Sequence, residues 1–545
     1  MQKPPLYWDG QILAASKRLM APLALLPETH RTRARALAAA LALVVFALYS
    51  LYSWFQWRHF VIPSWDLGIF AQLAKAYATG QAPIVHIKGE GFNLLGDHFH
   101  PITLLLTPFY YVWPSPATLL YVQNALIALS VYLLVRFAQQ VLPTVSALCL
   151  GAAYALSFGV QQAVSVQFHE VAFALPLLVM SLGYLVISRV TDQPAKALRR
   201  AVYWAAPLVF VKEDIGITVT AIGLVALLRT GWLRQATDLV FPSASKDPAT
   251  VRQRLRTALS SWVSTPAVAE TSVLALWGVT WSLLAVGLIL PYFNTGGIFD
   301  YSDKLDVGAA IGNPLGALAQ FFYPWQKSAS LGLILLVGVL AWVASPLALI
   351  ALPTLLWRFL SPQEGYWLST WHYSLVLMPI VFLALLDVCA RPQRTKCRAT
   401  GSGGARFRRS YRRLAPQILP ALALVVAVAL TPQQPLWQLT DPSFATSQLS
   451  ASDTAKYNVL ASIPAGTTVA ADLSVLTYLV EPNTVYWIGH EGKPAPDYVV
   501  IDRLGSAWNG KAPTDIAAYA SERYQATYLP HHSVGTIDVV RKISN

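Results

Sequence analysis

Apolar residues gather in eleven runs, near 37–55, 117–138, 143–159, 171–188, 201–211, 215–229, 272–291, 328–344, 346–360, 372–389 and 416–431. Most approach the ~20 residues an α-helix needs to cross ~30 Å of hydrocarbon. The pattern predicts an all-α polytopic membrane domain of about eleven spans. The run at 201–211 is short for a crossing and predicts a broken helix. Between the first two runs, Ile69, Phe70, Leu73, Ala74 and Tyr77 share one helical face. That spacing predicts a juxtamembrane helix from about Asp66 to Tyr77, lying on the membrane surface. Pro101 to Trp113 is apolar but short and rich in proline, which predicts a half-buried or re-entrant segment.

Beyond residue 431 the pattern changes. Strand-like runs at Thr467–Ala471, Val485–Ile488, Tyr498–Ile501 and Ala526–Leu529, with Thr536–Arg541 closing a hairpin, predict a small soluble α/β domain. The chain then divides into a basic tail (1–36), the transmembrane domain (37–431) and the α/β domain (432–545).

Composition agrees with the membrane reading. Of 545 residues 55% are hydrophobic and only 12% charged, against about 25% charged in soluble domains. The net charge of +13 would suggest nucleic acid in a soluble protein. Here the basic residues sit in blocks between apolar runs, which sets membrane orientation instead. With the N-terminus inside, the segments 1–36, 136–142, 189–200, 229–272 and 390–415 hold 26 of the 40 Lys and Arg, while the outside loops hold seven. The positive-inside rule then puts the N-terminus in the cytoplasm and the C-terminal domain outside. The first residues lack a short apolar core with a cleavage site, and so read as a cytosolic tail. The three cysteines form neither a disulfide framework nor a zinc pattern.

Five polar groups fall on the outer face in this topology: Trp65-Asp66-Leu67-Gly68, Gly96-Asp97-His98-Phe99-His100, Phe168-His169-Glu170, Lys212-Glu213-Asp214, and Arg358 with Trp371-His372-Tyr373. Each has a plain alternative. Asp66 is a good helix N-cap. His98 and His100 fit interfacial histidines, Lys212-Glu213-Asp214 a polar turn, and Arg358 a snorkelling side chain. Ionisable residues wedged between spans are costly, however, and usually functional. One shared cavity accounts for all five. A carboxylate there would accept a proton from a hydroxyl, and Lys212 and Arg358 would hold a phosphate. Asp97, His98 and His100 are candidates for a divalent metal, although the spacing is a weak metal signal. No Gly-rich phosphate loop or nucleophile elbow occurs.

The ordered motifs W-D-L-G-I-F-A-Q, L-G-D-H-F-H-P, F-H-E, K-E-D, W-H-Y and P-D-Y-V-V-I-D run from about residue 40 to the C-terminus. In this they resemble a bacterial family of multispanning membrane proteins defined by a domain of unknown function. That family in turn resembles the GT-C membrane glycosyltransferases, among them protein mannosyltransferases and aminoarabinose lipid A transferases. The resemblance implies a polyprenyl-phosphate sugar donor, juxtamembrane helices in the first external loop, and a catalytic acidic residue there. Asp66 matches that position, and the Lys212 turn resembles one between two middle spans. Many GT-C enzymes carry two neighbouring acidic residues; Asp97 is the candidate partner here.

Three functions are in contention. The first is a cell-envelope glycosyltransferase acting on a glycan, lipid or protein acceptor. In it Asp66 is the base, with Asp97 beside it. Lys212 and Arg358 hold the donor phosphate, and His98, His100, His169, Glu170, Glu213, Asp214, His372 and Tyr373 shape the site. The second is a non-enzymatic lipid or solute transporter or flippase, which would favour two related halves; no internal duplication is present. The third is a scaffold, for which buried charge is needless expense.

Reporter fusions test the topology. A fusion at residue 400 is expected to report the inside and one at residue 500 the outside. Reports from the same side would rule out the proposed orientation.

Overall fold

The computed structural model describes residues 28–234, 237, 248–301, 304, 312–390, 403–490, 494–505, 508 and 510–543. The basic tail up to residue 27 and the centre of the basic loop, 391–402, lie outside the described residues.

The chain enters through α1 (Glu28–Arg58), a 31-residue helix with arginines near both ends. After a short turn comes α2 (Asp66–Ala78). Ser115 caps α3 (Pro116–Ala138) through the Ala117 amide, with Pro116 in the first turn where its missing N–H costs nothing. The next run is bent by 40° between α4 (Thr144–Ala155) and α5 (Phe158–Ser165). α6 (Ala174–Ile187) continues a tight turn that starts at Glu170. α7 (Pro194–Ala205) buries Ala197, Leu198, Ala201, Val202 and Ala205 at three- and four-residue spacing. α8 (Ile215–Thr230) ends at Gly231, whose left-handed φ of 75° suits a glycine after a helix C-terminus. α9 (Pro266–Leu284) packs closely on α8, because a Cβ on Gly278 would collide with the Gly216 carbonyl. α10 (Leu352–Leu360) and α11 (Leu377–Cys389) follow. All thirteen residues of α11 are buried, so it is the centre of the bundle. α12 (Gly403–Leu430) is the last helix before the C-terminal domain.

Six helices among the described residues are long and apolar enough to cross a bilayer, or seven with the bent α4–α5 pair. Eleven full spans are therefore not found by length and composition. Three of the expected runs are interrupted. The run at 201–211 holds the end of α7 and a tight turn through Pro207. The run at 328–344 breaks where Val339 and Leu340 adopt positive φ, a conformation a β-branched residue rarely takes. The run at 346–360 opens with a six-residue tight helix before α10. Pro101–Val112 forms a 3₁₀–α segment too short to span, with Leu104, Leu105, Phe109 and Val112 exposed.

The C-terminal domain carries a five-stranded sheet: β1 (Thr468–Ala471), β2 (Thr484–Trp487), β3 (Tyr498–Asp502), β4 (Tyr528–Val534) and β5 (Ile537–Lys542), in the order β2-β1-β3-β5-β4. β1 is parallel to both β2 and β3, in register Val469↔Val485 and Ala470↔Val499. β5 is antiparallel to β3 and β4. Every residue of β3 is buried, as its unbroken Tyr-Val-Val-Ile-Asp run requires of a strand covered on both faces. Ala470, Val499, Ile501 and Val540 face α15 (Ile516–Tyr524); Val469, Val500 and Val539 join the core of the membrane domain. The other domain helices are α13 (Ala451–Ala461), with a capping box at Ser450 and Asp453, and α14 (Leu473–Leu479).

This docking corrects the expectation for α2. A helix lying on a membrane surface would keep one polar face open, yet α2 buries Leu67 through Ala74 on all sides. It is sandwiched between the bundle and the C-terminal domain. Gly68 admits Leu476, where a Cβ would approach its Cδ2 to 2.7 Å. Gln72 donates to the Val485 carbonyl at 3.1 Å and accepts from the Ile87 amide. Lys75 Nζ donates to the carbonyls of Val480, Glu481 and Asn483 at 2.8–3.0 Å. Trp57 stacks on Tyr478 with centroids 4.0 Å apart. The lysine is spent on three carbonyls of one turn, so its charge is used as a rivet.

Lys75→Met is expected to destabilise this docking by about 2 kcal/mol, the scale of hydrogen bonds to a charged group. The sign would be faster limited proteolysis between the domains, with the membrane domain intact. Unchanged cleavage would show that Lys75 does not hold the interface.

Candidate functional site

Three helices open towards one place. α6 starts after the His169–Phe173 turn, α8 starts at Ile215 directly after Lys212-Glu213-Asp214, and α11 starts after the His372–Ser374 turn. Helix N-termini carry partial positive charge and unpaired N–H groups. A cavity of about 600 Å³ lies there, within the range of small-molecule sites. Asp66, Asp97, His98, His100, His169, Glu170, Lys212, Glu213, Asp214, His372 and Tyr373 all line it. Apolar Ile69, Phe70, Val171, Ile217, Leu283 and Val286 make up much of the remaining wall.

Asp66 is the first residue of α2, and its carboxylate does not cap the helix; the N-cap position belongs to Trp65, with no side-chain cap. The Ser64 hydroxyl donates to Asp66 Oδ2 at 2.8 Å, and His169 Nε2 stands 3.4 Å from the same oxygen. Burial pushes the Asp66 carboxyl up, but His169 and Ser64 outweigh it and hold it below the usual range. Its side chain remains 31% exposed, open to the cavity. His169 itself is fixed from behind. Its amide donates to Gln123 Oε1 at 2.9 Å, and Gln123 also donates to the Gln167 carbonyl. Gln167 adopts a left-handed φ of 69°, which turns the chain into the motif. The ring of His372 stacks on His169 with centroids 3.6 Å apart.

The second group is an ion-pair lattice. Lys212 Nζ lies 2.8 Å from Glu170 Oε1. Burial lowers the lysine, but Glu170, Glu213 and Asp214 outweigh it, so it stays charged. Glu213 reaches back to the first loop, accepting from the Phe99 amide at 3.0 Å and lying 2.8 Å from His98 Nδ1. Burial and Lys212 push His98 down; Glu213 and Asp97 overcome both and raise it above its ordinary value. Asp214 has an unpartnered Oδ1, and burial with Glu213 nearby pushes it up to about 6. His100 is buried with its Nδ1 unpartnered and is pushed down to about 4, chiefly by burial, so it is neutral at pH 7. Gly96 brings this loop against residues 293 and 294, where a Cβ would meet their backbone at 2.5 Å.

Two expectations change. Arg358 does not line the cavity. It is fully buried, and its guanidinium donates to the carbonyls of Tyr366 and Tyr373 and to the Ser374 hydroxyl. A fork already spent on its own backbone is a clamp for the wall and cannot also grip phosphate. Nor do Asp97, His98 and His100 converge as metal ligands; no group of three His, Cys, Asp or Glu among the described residues is placed to hold a metal. Their side chains point to separate partners, with Asp97 3.3 Å from Lys88 and His98 paired with Glu213.

The sequence reading missed Lys88, Tyr301 and Lys304, all on the cavity wall. Tyr301 donates to Asp97 at 3.0 Å and stacks on His98. Lys88 sits over the Trp65 ring at 5.3 Å. A signal for Lys88 and Lys304 existed: they are among the few basic residues of the outside loops. Tyr301 had none.

The chain belongs to the DUF2079 family of predicted membrane proteins, whose profile matches residues 58–532. No curated protein matches it. Among solved structures it is similar to ArnT from Cupriavidus metallidurans bound to undecaprenyl phosphate, at 13% identity and a TM-score of 0.47, over 94% of this chain and 98% of that one. It is also similar to the archaeal oligosaccharyltransferase AglB from Archaeoglobus fulgidus in complex with an inhibitory peptide and a dolichol-phosphate. There the identity is 11% and the TM-score 0.34, over 92% and 74% of the two chains. Both neighbours are GT-C glycosyltransferases.

The His98–Glu213 pair has a pH signature. A histidine raised on folding contributes stability that is full below its unfolded pKa, about 6.5, and is lost as pH rises through the higher folded value. Thermal unfolding of the wild type is therefore expected to lose more stability between pH 6 and pH 9 than that of His98→Asn. Parallel profiles would refute the pairing.

Proposed function

We propose that this chain is a membrane glycosyltransferase that moves a sugar from a polyprenyl-phosphate donor to an acceptor hydroxyl on the extracytoplasmic face. The observation that carries the reading is a single cavity holding an ionised, partly open carboxylate, fixed cations and an apolar wall, at the mouths of three helices. A lipid-phosphate sugar needs all three. Its isoprenoid chain lies along Ile217, Leu283 and Val286. Its phosphate meets Lys212 and Lys88, with the helix N-termini adding to their field.

Asp66 accepts the proton of the acceptor hydroxyl as that oxygen attacks the anomeric carbon. The bond from the anomeric carbon to the phosphate oxygen breaks, and the electron pair leaves on the polyprenyl phosphate. Attack opposite the leaving group inverts the anomeric centre. His169 holds the Asp66 carboxylate in its ionised form, ready to take a proton. Lys212 uses one of its three N–H donors on Glu170 and has others for the leaving phosphate. Glu170 keeps that ammonium charged and in place while the site is empty. Because Asp66 is depressed, this base stays competent throughout the neutral range and is lost only as pH falls through its folded pKa.

Asp66→Asn separates catalysis from structure. Asparagine keeps the shape but takes no proton, so transfer from a polyprenyl-phosphate sugar is expected to fall by 10²–10⁴-fold, the usual worth of a general base. Insertion and thermal stability should stay near wild type. Lys212→Ala combined with Glu170→Gln, so that no buried charge is stranded, should chiefly raise the KM for the donor. Near-normal transfer by the Asp66→Asn protein would sink the catalytic assignment.

A further inference from the structure

The helices that open at the cavity close on a second polar cluster. α6, α8 and α11 end near Arg189, Arg229 and Asp387, on the order of 20 Å from their starts at 1.5 Å per residue. Asp387 is fully buried in α11. Its Oδ2 lies 2.9 Å from Arg189 Nη1, its Oδ1 lies 2.9 Å from Arg229 Nη2, and Ser345 Oγ donates to Oδ2 at 2.6 Å. The two guanidiniums are used differently. Arg229 is 9% exposed and also donates to the Leu185 carbonyl. Arg189 is 29% exposed and makes one side-chain hydrogen bond among the described residues. A guanidinium has five N–H donors, so most of this fork is uncommitted.

Beside it lies a pocket of about 620 Å³, lined by Ser188, Arg189, Arg229, Ala344 and Pro346. Val190 and Val343, each next in the chain to a lining residue, are exposed. The Lys and Arg asymmetry of the chain puts this end inside, among the basic segments 189–200 and 229–272. We propose that this pocket binds the phosphate of an anionic glycerophospholipid headgroup from the inner leaflet. Asp387 neutralises one of the two guanidiniums and leaves one positive charge at the pocket. The planar fork of Arg189 matches two phosphate oxygens. Basic pockets between membrane helices on the cytoplasmic side are the usual seats of such headgroups. The exposed apolar side chains that adjoin Arg189 and Ala344 in the chain favour a lipid over a free anion, because they give acyl chains a surface to follow. The site is separate from the cavity, and its occupancy does not depend on the transferase reading.

The full chain in detergent, titrated with phosphatidylglycerol and followed by native mass spectrometry, tests this. The wild type is expected to retain the lipid. Arg189→Gln removes the fork, and Ala344→Glu sets a carboxylate in the pocket against the guanidiniums while leaving Asp387, Arg189 and Arg229 themselves in place. Each should lower the retained fraction by about tenfold, the effect of losing one charge-assisted contact. Inorganic phosphate in excess should not displace the lipid. Equal retention by wild type and Ala344→Glu overturns the proposal, as does a site that takes inorganic phosphate and not phosphatidylglycerol. If Arg189→Gln fails to fold, Ala344→Glu decides alone, since Ala344 is exposed.

Discussion

A charge that cannot reach water has to be paired, and that requirement organises both ends of α6, α8 and α11. At one end Glu170 holds Lys212 and Glu213 holds His98; at the other Asp387 holds Arg189 and Arg229. Removing one partner of a buried pair leaves an uncompensated charge, which costs several kcal/mol. The pairs therefore fix which helices meet and at what height. Apolar side chains against lipid cannot do this, because lipid tails are as apolar as the helix faces they would otherwise bury.

The same constraint shapes the cavity. Most of its carboxylates are already committed to a cation at contact distance. Asp66 is the partly open one, held at 3.4 Å by a histidine that is itself stacked and anchored. An arrangement of this kind is fixed in advance, so for the proposed transfer little reorganisation would remain to the groups around Asp66. The C-terminal domain extends that preparation. Through Lys75, Gln72 and Leu476 it locks α2 from above, and α2 carries Asp66. The C-terminal sheet thus sets the position of a residue that opens into the cavity.

Much of this was legible in the chain. Blocks of apolar residues announced the membrane domain, because crossing hydrocarbon demands a run of that length. Short runs rich in β-branched and aromatic residues announced the strands, each within a few residues of its observed position. The polar motifs named eleven residues that line the cavity, since ionisable groups beside spans are too costly to be idle. Arg358 followed the same logic and went astray. Sequence shows that a guanidinium is present, whereas only packing shows that its donors are already satisfied by Tyr366, Tyr373 and Ser374.

By itself, then, the sequence determined what each segment can tolerate: which runs can sit in lipid and which residues titrate. These are properties of a residue and its near neighbours, and local physics suffices for them. Tertiary structure decided which partner each charge takes, across separations such as the 115 residues between His98 and Glu213. It decided that α2 is covered on all sides, that the run at 328–344 is broken, and that Lys88 and Tyr301 join the cavity wall. Pairing between distant residues depends on the distances and burial that the whole fold creates, and no local pattern encodes them.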